Sequence, residues 1–75
     1  MSRDTSRHHR CPSSKGGTRD PKNISIVSSV MHNAWHNLFA NLTPYQICYR
    51  INSKWLDPDY EFICVKKEVE DDIQR

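Results

Sequence analysis

Between Val30 and Leu42 the apolar residues are Val30, Met31, Ala34, Trp35, Leu38, Phe39 and Leu42. Steps of one, three and four place all of them on one wide stripe of an α-helix, and Ser28 or Ser29 supplies the cap at its start. No other segment of the chain carries so long a periodic apolar pattern. A chain of 75 residues buries only about 60% of the surface its unfolded form exposes, so whatever else folds must fold onto this stripe. At this size a core of that kind is usually fastened by disulfides, a metal ion or a partner subunit.

Upstream, residues 1–6 read as a frayed arm. Arg7 to Cys11 reads as a short extended segment ended by Pro12, which cannot donate to a ladder and pushes Cys11 toward extended backbone. "SSKGGTRDP" is a loop on composition, with Gly16-Gly17 free to take positive φ and Asp20-Pro21 starting a turn. "NISIV" then alternates, which predicts a half-buried strand with Ile24 and Ile26 on one face.

Downstream of the stripe, Thr43-Pro44-Tyr45-Gln46 predicts a second helix, with Thr43 as cap, Pro44 in its first turn and Gln46 placed to close a capping box. Its apolar side is Ile47, Cys48, Ile51 and Trp55, and Asp57-Pro58 stops it. "YEFICV" predicts a short final strand, and "KKEVEDDIQR" an acidic tail. The expected fold class is therefore α+β: a two-stranded hairpin and a helix, then a second helix and a short C-terminal strand. The expected division is an arm over 1–6, one folded domain over 7–65 and a tail over 66–75.

Disulfides are a poor choice of fastener, because Cys11, Cys48 and Cys64 are odd in number and have no short paired spacing. All three read as small buried apolar residues. "MSRDTSRHHR" lacks the apolar run of a signal peptide, and no window approaches the roughly 20 apolar residues of a membrane span. A cytoplasmic protein without membrane contact is expected, which makes the sequons at Asn23 and Asn41 incidental. Charge is unevenly spread: residues 1–22 hold six basic and two acidic residues, a net of +4, and the remainder five basic and seven acidic, a net of −2. The positive half would attract a polyanion such as nucleic acid. Arg10, Lys15, Arg19 and Lys22 are its candidate phosphate contacts. Trp35 and Trp55 fall on the apolar stripes and read as core rather than as base-stacking platforms.

That positive half also surrounds His8 and His9, half of the chain's four histidines. The other two, His32 and His36, stand one helical turn apart, where two imidazoles can reach one metal ion from the same helix face. A hairpin folded back on the helix would bring a third ligand, and three protein ligands leave a coordination position open for water or substrate.

The stretch "HHRCPSSKGGTRDPKNISIVSSVMHNAWH", residues 8–36, resembles the HNH endonuclease motif. That motif is the ββα-metal, or His-Me, finger of colicin-type DNases, homing endonucleases and many phage nucleases. The shared pattern is a ligand-plus-His pair on the first strand, a Pro and a Gly-Gly loop, an Asn at the second strand, and a His on the helix with another one turn later. The resemblance implies a ββα-metal finger that hydrolyses phosphodiester bonds of DNA, with RNA as the other substrate to consider. It implies one divalent metal ion (Mg²⁺, Mn²⁺, Ni²⁺ or Zn²⁺) held by His8, His32 and His36. His9 would be the general base that activates water, and Asn23 would hold the His9 ring or tie the loop together. Many members of the family also carry two CxxC pairs for a structural zinc, and this chain has none. Consecutive strand residues point to opposite faces, so His8 and His9 can serve one site only if the strand ends or twists there. The alternative function is a metal-stabilised nucleic-acid-binding module without catalysis, or a subunit of a larger nuclease assembly.

Overall fold

The computed structural model describes residues 4–68. Its elements, in order, are strand β1 (Thr5–His9), strand β2 (Ile24–Ser28), helix α1 (Ser29–Phe39) and helix α2 (Pro44–Arg50), which runs on into a π-helical turn (Ile51–Trp55). The fold is α+β, a hairpin and a helix followed by a second helix, as the pattern of the sequence predicts. The chain divides after Thr43 into two compact units, Met1–Thr43 and Pro44–Arg75. Most of the acidic tail, residues 69–75, lies outside the described residues.

In the first unit, β1 and β2 pair antiparallel from Thr5↔Ser28 to His9↔Ile24. Thr5 and Ser6 thus belong to the strand rather than to an arm, because Ser28 and Val27 lie opposite them. The strand also ends at His9, two residues before the expected Cys11. Between the strands, the loop is drawn in by backbone bonds from Arg10 N to Asn23 O (2.7 Å) and from Gly17 N to Pro12 O (2.9 Å). Both glycines are required, for different reasons. Gly16 has φ of 93°, and a Cβ on Gly17 would stand 1.8 Å from the Cys11 carbonyl oxygen.

At the start of α1, Ser28 Oγ accepts from the Met31 amide at 3.3 Å, which satisfies one of the free N–H groups of the first turn. The helix stops three residues short of Leu42, at Ala40, whose φ of 47° turns the chain out of the helix while its N–H still donates to His36 O. Phe39 alone of the described residues is buried, at 5% exposure, and the stripe expected to form the core is open over Val30 (75%) and Met31 (65%). The two-stranded ribbon is too narrow to cover a stripe of that width.

The face of β2 that carries Ile26 is not the one that meets the helix. Ile26 is 64% exposed, and Val27 instead turns with His8 toward Met31, His32 and Trp35 of α1. Register explains this: Val27 lies opposite Ser6, and Ser25 opposite His8. The small and polar side chains therefore face the helix, leaving room for imidazoles.

In the second unit, Pro44 begins α2 as expected. The π turn that follows is closed by the Leu56 amide on Ile51 O at 2.8 Å, an i to i−5 bond. Residues 60–65 do not form the expected strand. Their backbone is held by a side chain instead: the Asn52 amide donates to Phe62 O (2.8 Å) and accepts from Phe62 N (2.9 Å), copying a ladder pair without a partner strand. Trp55, expected in the core, is 64% exposed. The cysteines are not buried either: Cys11 is exposed, and Cys48 and Cys64 are half-buried.

Candidate metal centre

Strand β1 and helix α1 each supply imidazoles to one point in the first unit. His8, in the last turn of the pleat before β1 ends, faces the helix. Its ring lies edge-on to three aromatic neighbours, with centroids 5.2 Å from His32, 6.3 Å from His36 and 5.8 Å from Trp35. His32 and His36 stack one turn apart with centroids 4.7 Å apart. Their Nε2 atoms approach to 3.0 Å, one ring donating and the other accepting. One nitrogen from each of His8, His32 and His36 lies within 4.8 Å of the other two.

Nitrogens this close together could hold one metal ion. Zinc–imidazole bonds of roughly 2.0–2.1 Å in tetrahedral array put neighbouring nitrogens about 3.3 Å apart, close to the spacing of the helix pair. Three imidazoles without a carboxylate form a borderline-soft donor set, suited to Zn²⁺ or Ni²⁺ and poorly suited to Mg²⁺, which prefers oxygen. The His8 ring is biased toward its neutral form. Burial holds the His8 pKa below its usual value of 6.5, and nearby positive charge from His32, His36, His9 and Arg10 lowers it further. A neutral ring presents the lone pair that a metal requires.

His9 stands outside this cluster. Ser6 and His8 are turned toward α1, so strand alternation sends Arg7 and His9 to the opposite face. His9 is half-buried there, opposite Ile24, at the point where β1 ends. Of the two roles left open for Asn23, the structure has the loop-tying one. Asn23 Oδ1 accepts from Cys11 N (2.7 Å), and Nδ2 donates to Cys11 O (3.1 Å) and Thr18 O (2.8 Å). With the amide engaged on three backbone groups, it fixes the chain just beyond His9 rather than the His9 ring.

The basic residues all border this loop. Lys15 ends the turn Ser13–Lys15, Lys22 lies in the turn Pro21–Asn23, and Arg19 is exposed between them. The Arg10 guanidinium donates to Lys22 O at 3.3 Å, which ties it to the loop's far side. Two features were not legible in the sequence. Ser6 Oγ lies 2.6 Å from His32 Nδ1; its only signal was its place two residues before His8 on the same strand face. A cavity of about 330 Å³ also opens beside the histidines, lined by His8, Val27, Met31, His32 and Trp35.

Comparison with protein-family models, with curated proteins and with solved structures gave no match. Among the described residues, no helix is long and apolar enough to cross a membrane.

Proposed function

We propose that the chain is a metal-dependent endonuclease of the HNH type, hydrolysing phosphodiester bonds of DNA. The observation that carries this reading is the convergence of His8, His32 and His36 on one point, from a strand and a helix joined as hairpin and helix. Their donor set favours zinc or nickel over magnesium. When bound, such an ion supplies Lewis acidity toward a phosphate oxygen and the leaving oxygen.

The rest of the chemistry is done by this chain's own side chains. In an in-line displacement the attacking and leaving oxygens lie on opposite sides of phosphorus. The base therefore belongs outside the ligand set, where His9 is found. A neutral imidazole takes a proton from water near pH 7. The end of β1 at His9 and the Asn23 clasp on Cys11 fix the backbone on both sides of that ring. Arg10, Lys15, Arg19 and Lys22 line the loop that a polyanion would meet, and contacts of that kind position the backbone of nucleic acid without reading its sequence.

A second reading, a metal-stabilised nucleic-acid-binding module that does not cut, is favoured by one observation: His9 is not among the histidines that converge with His8, as strand alternation would have it. Supercoiled plasmid separates the two. With Zn²⁺, Ni²⁺, Mn²⁺ or Mg²⁺ added in turn, the nuclease nicks in the wild type, loses cutting but keeps metal in His9→Ala, and loses metal affinity in His36→Ala. Metal binding and DNA retardation without nicking under any metal would leave the module. Failure to bind either metal or DNA would reject both readings.

A further inference from the structure

Ser6 has no assigned part in the metal centre, yet its hydroxyl lies within hydrogen-bond distance of one of the three ligands, 2.6 Å from His32 Nδ1. Its position is set by the same pleat that aims His8. The two residues lie on one face of β1, two apart, opposite Val27 and Ser25. On the other side of the His32 ring, Nε2 is 3.0 Å from Nε2 of His36. The ring is thus held at both nitrogens, with Nε2 turned to the converging ligands and Nδ1 turned to the strand.

An imidazole that coordinates through Nε2 must carry its proton on Nδ1, and the partner of that N–H fixes both the tautomer and the ring plane. Ser Oγ has two acceptor lone pairs and can take that bond. Building on the metal centre proposed above, we infer that Ser6 is a positioning residue for the metal: its hydroxyl accepts from His32 Nδ1–H and commits His32 to coordinate through Nε2. The hydrogen bonds of the ligand-free cluster are consistent with this arrangement. The 2.6 Å and 3.0 Å contacts allow His32 Nδ1–H to donate to Ser6 Oγ while His32 Nε2 accepts from His36 Nε2–H. On metal binding only the second of these bonds would be lost, the His36 ring taking the other tautomer so that its proton stands on Nδ1, with no net proton released.

Zinc titration of the full chain against a chromophoric chelator tests the inference, with Ser6→Ala and Ser6→Thr beside the wild type. The His32 tautomer is read in the metal-free protein from its ring-nitrogen chemical shifts. Loss of an outer partner of a ligating histidine lowers metal affinity by roughly 10- to 100-fold. Ser6→Ala is expected to weaken zinc binding by about that factor and to lose the Nδ1–H signature of His32. Ser6→Thr keeps a hydroxyl and suits a strand, and is expected to restore both. Zinc binding by Ser6→Ala equal to the wild type overturns the inference, as does equal weakening in Ser6→Thr. If Ser6→Ala does not fold, the wild type and Ser6→Thr decide the matter: an Nε2–H tautomer at His32 in either one overturns it. Absence of saturable zinc binding in the wild type overturns the metal centre itself, a separate result from the loss of Ser6's role within it.

Discussion

Replacing Gly17 with alanine tests how the loop holds the end of β1. An alanine Cβ at that position would lie 1.8 Å from the Cys11 carbonyl oxygen and 2.6 Å from its carbon, where real Cβ contacts are not found below 3.0 Å. The two chain segments must therefore separate by more than about an ångström. Both contacts are with backbone, so no side chain can swing aside. Cys11 is itself clasped by Asn23 through its N–H (2.7 Å) and its carbonyl (3.1 Å), and Gly17 N donates to Pro12 O (2.9 Å). Separation costs those three hydrogen bonds, each worth about 1 kcal/mol net, or roughly 2–3 kcal/mol in all. For a domain of this size that is a fall of about 10–20 °C in the unfolding midpoint. Gly16→Ala is the internal control. It carries the positive φ of 93° but meets nothing within 4 Å, so its cost is limited to backbone strain of about 1 kcal/mol. Thermal unfolding followed by circular dichroism should rank Gly17→Ala clearly below Gly16→Ala. Equal midpoints for the two variants would refute the close-approach argument.

Other outcomes follow from the same geometry. Ala40, with φ of 47°, is a position where glycine costs less than a side chain, so Ala40→Gly should raise stability by about 0.5–1 kcal/mol in a denaturant titration; a loss would contradict strain there. Burial and the neighbouring positive charges hold His8 below its unfolded value of 6.5. The unfolded chain therefore takes up the proton first as pH falls. The metal-free fold should keep its full stability above about pH 6.5 and lose it progressively as pH falls through the lowered His8 value. Chelator-treated protein unfolded in urea at a series of pH values checks this. Stability that is flat or rising toward acid would contradict the sign. Asn23→Ala should reproduce much of the Gly17→Ala loss, because it removes the same clasp, while leaving zinc affinity within about threefold; a collapse of zinc binding would mean that the clasp supports the ligands directly.

The hairpin, α1 and the one-turn spacing of His32 and His36 were legible because each depends on local chemistry: β-branched alternation in "NISIV", a serine cap at Ser28, helical periodicity along α1. The face of β2 was not. Ile24 and Ile26 are apolar on one side and Val27 on the other, so alternation alone could not say which side meets the helix. Pairing with Ser6 and His8 decided it. The apolar stripe was read correctly as a helix but not as a core, since periodicity says which residues share a face and not whether anything covers them. "YEFICV" has strand composition, but its central backbone groups are taken by the Asn52 side chain, a partner that pattern cannot disclose. The meeting of His8 with the helix pair was expected from the family resemblance, whereas the bond from Ser6 to His32 depends on a register known only once the strands are paired.

The proposed function stands on a single metal held by His8, His32 and His36. Isothermal titration of chelator-treated protein with Zn²⁺, repeated on each single alanine variant, tests it most directly. One equivalent is expected to bind to the wild type and to His9→Ala, with affinity lower by at least about tenfold in His8→Ala, His32→Ala and His36→Ala. Absence of saturable binding in the wild type, or one-equivalent binding that survives unchanged in all three ligand variants, would contradict it.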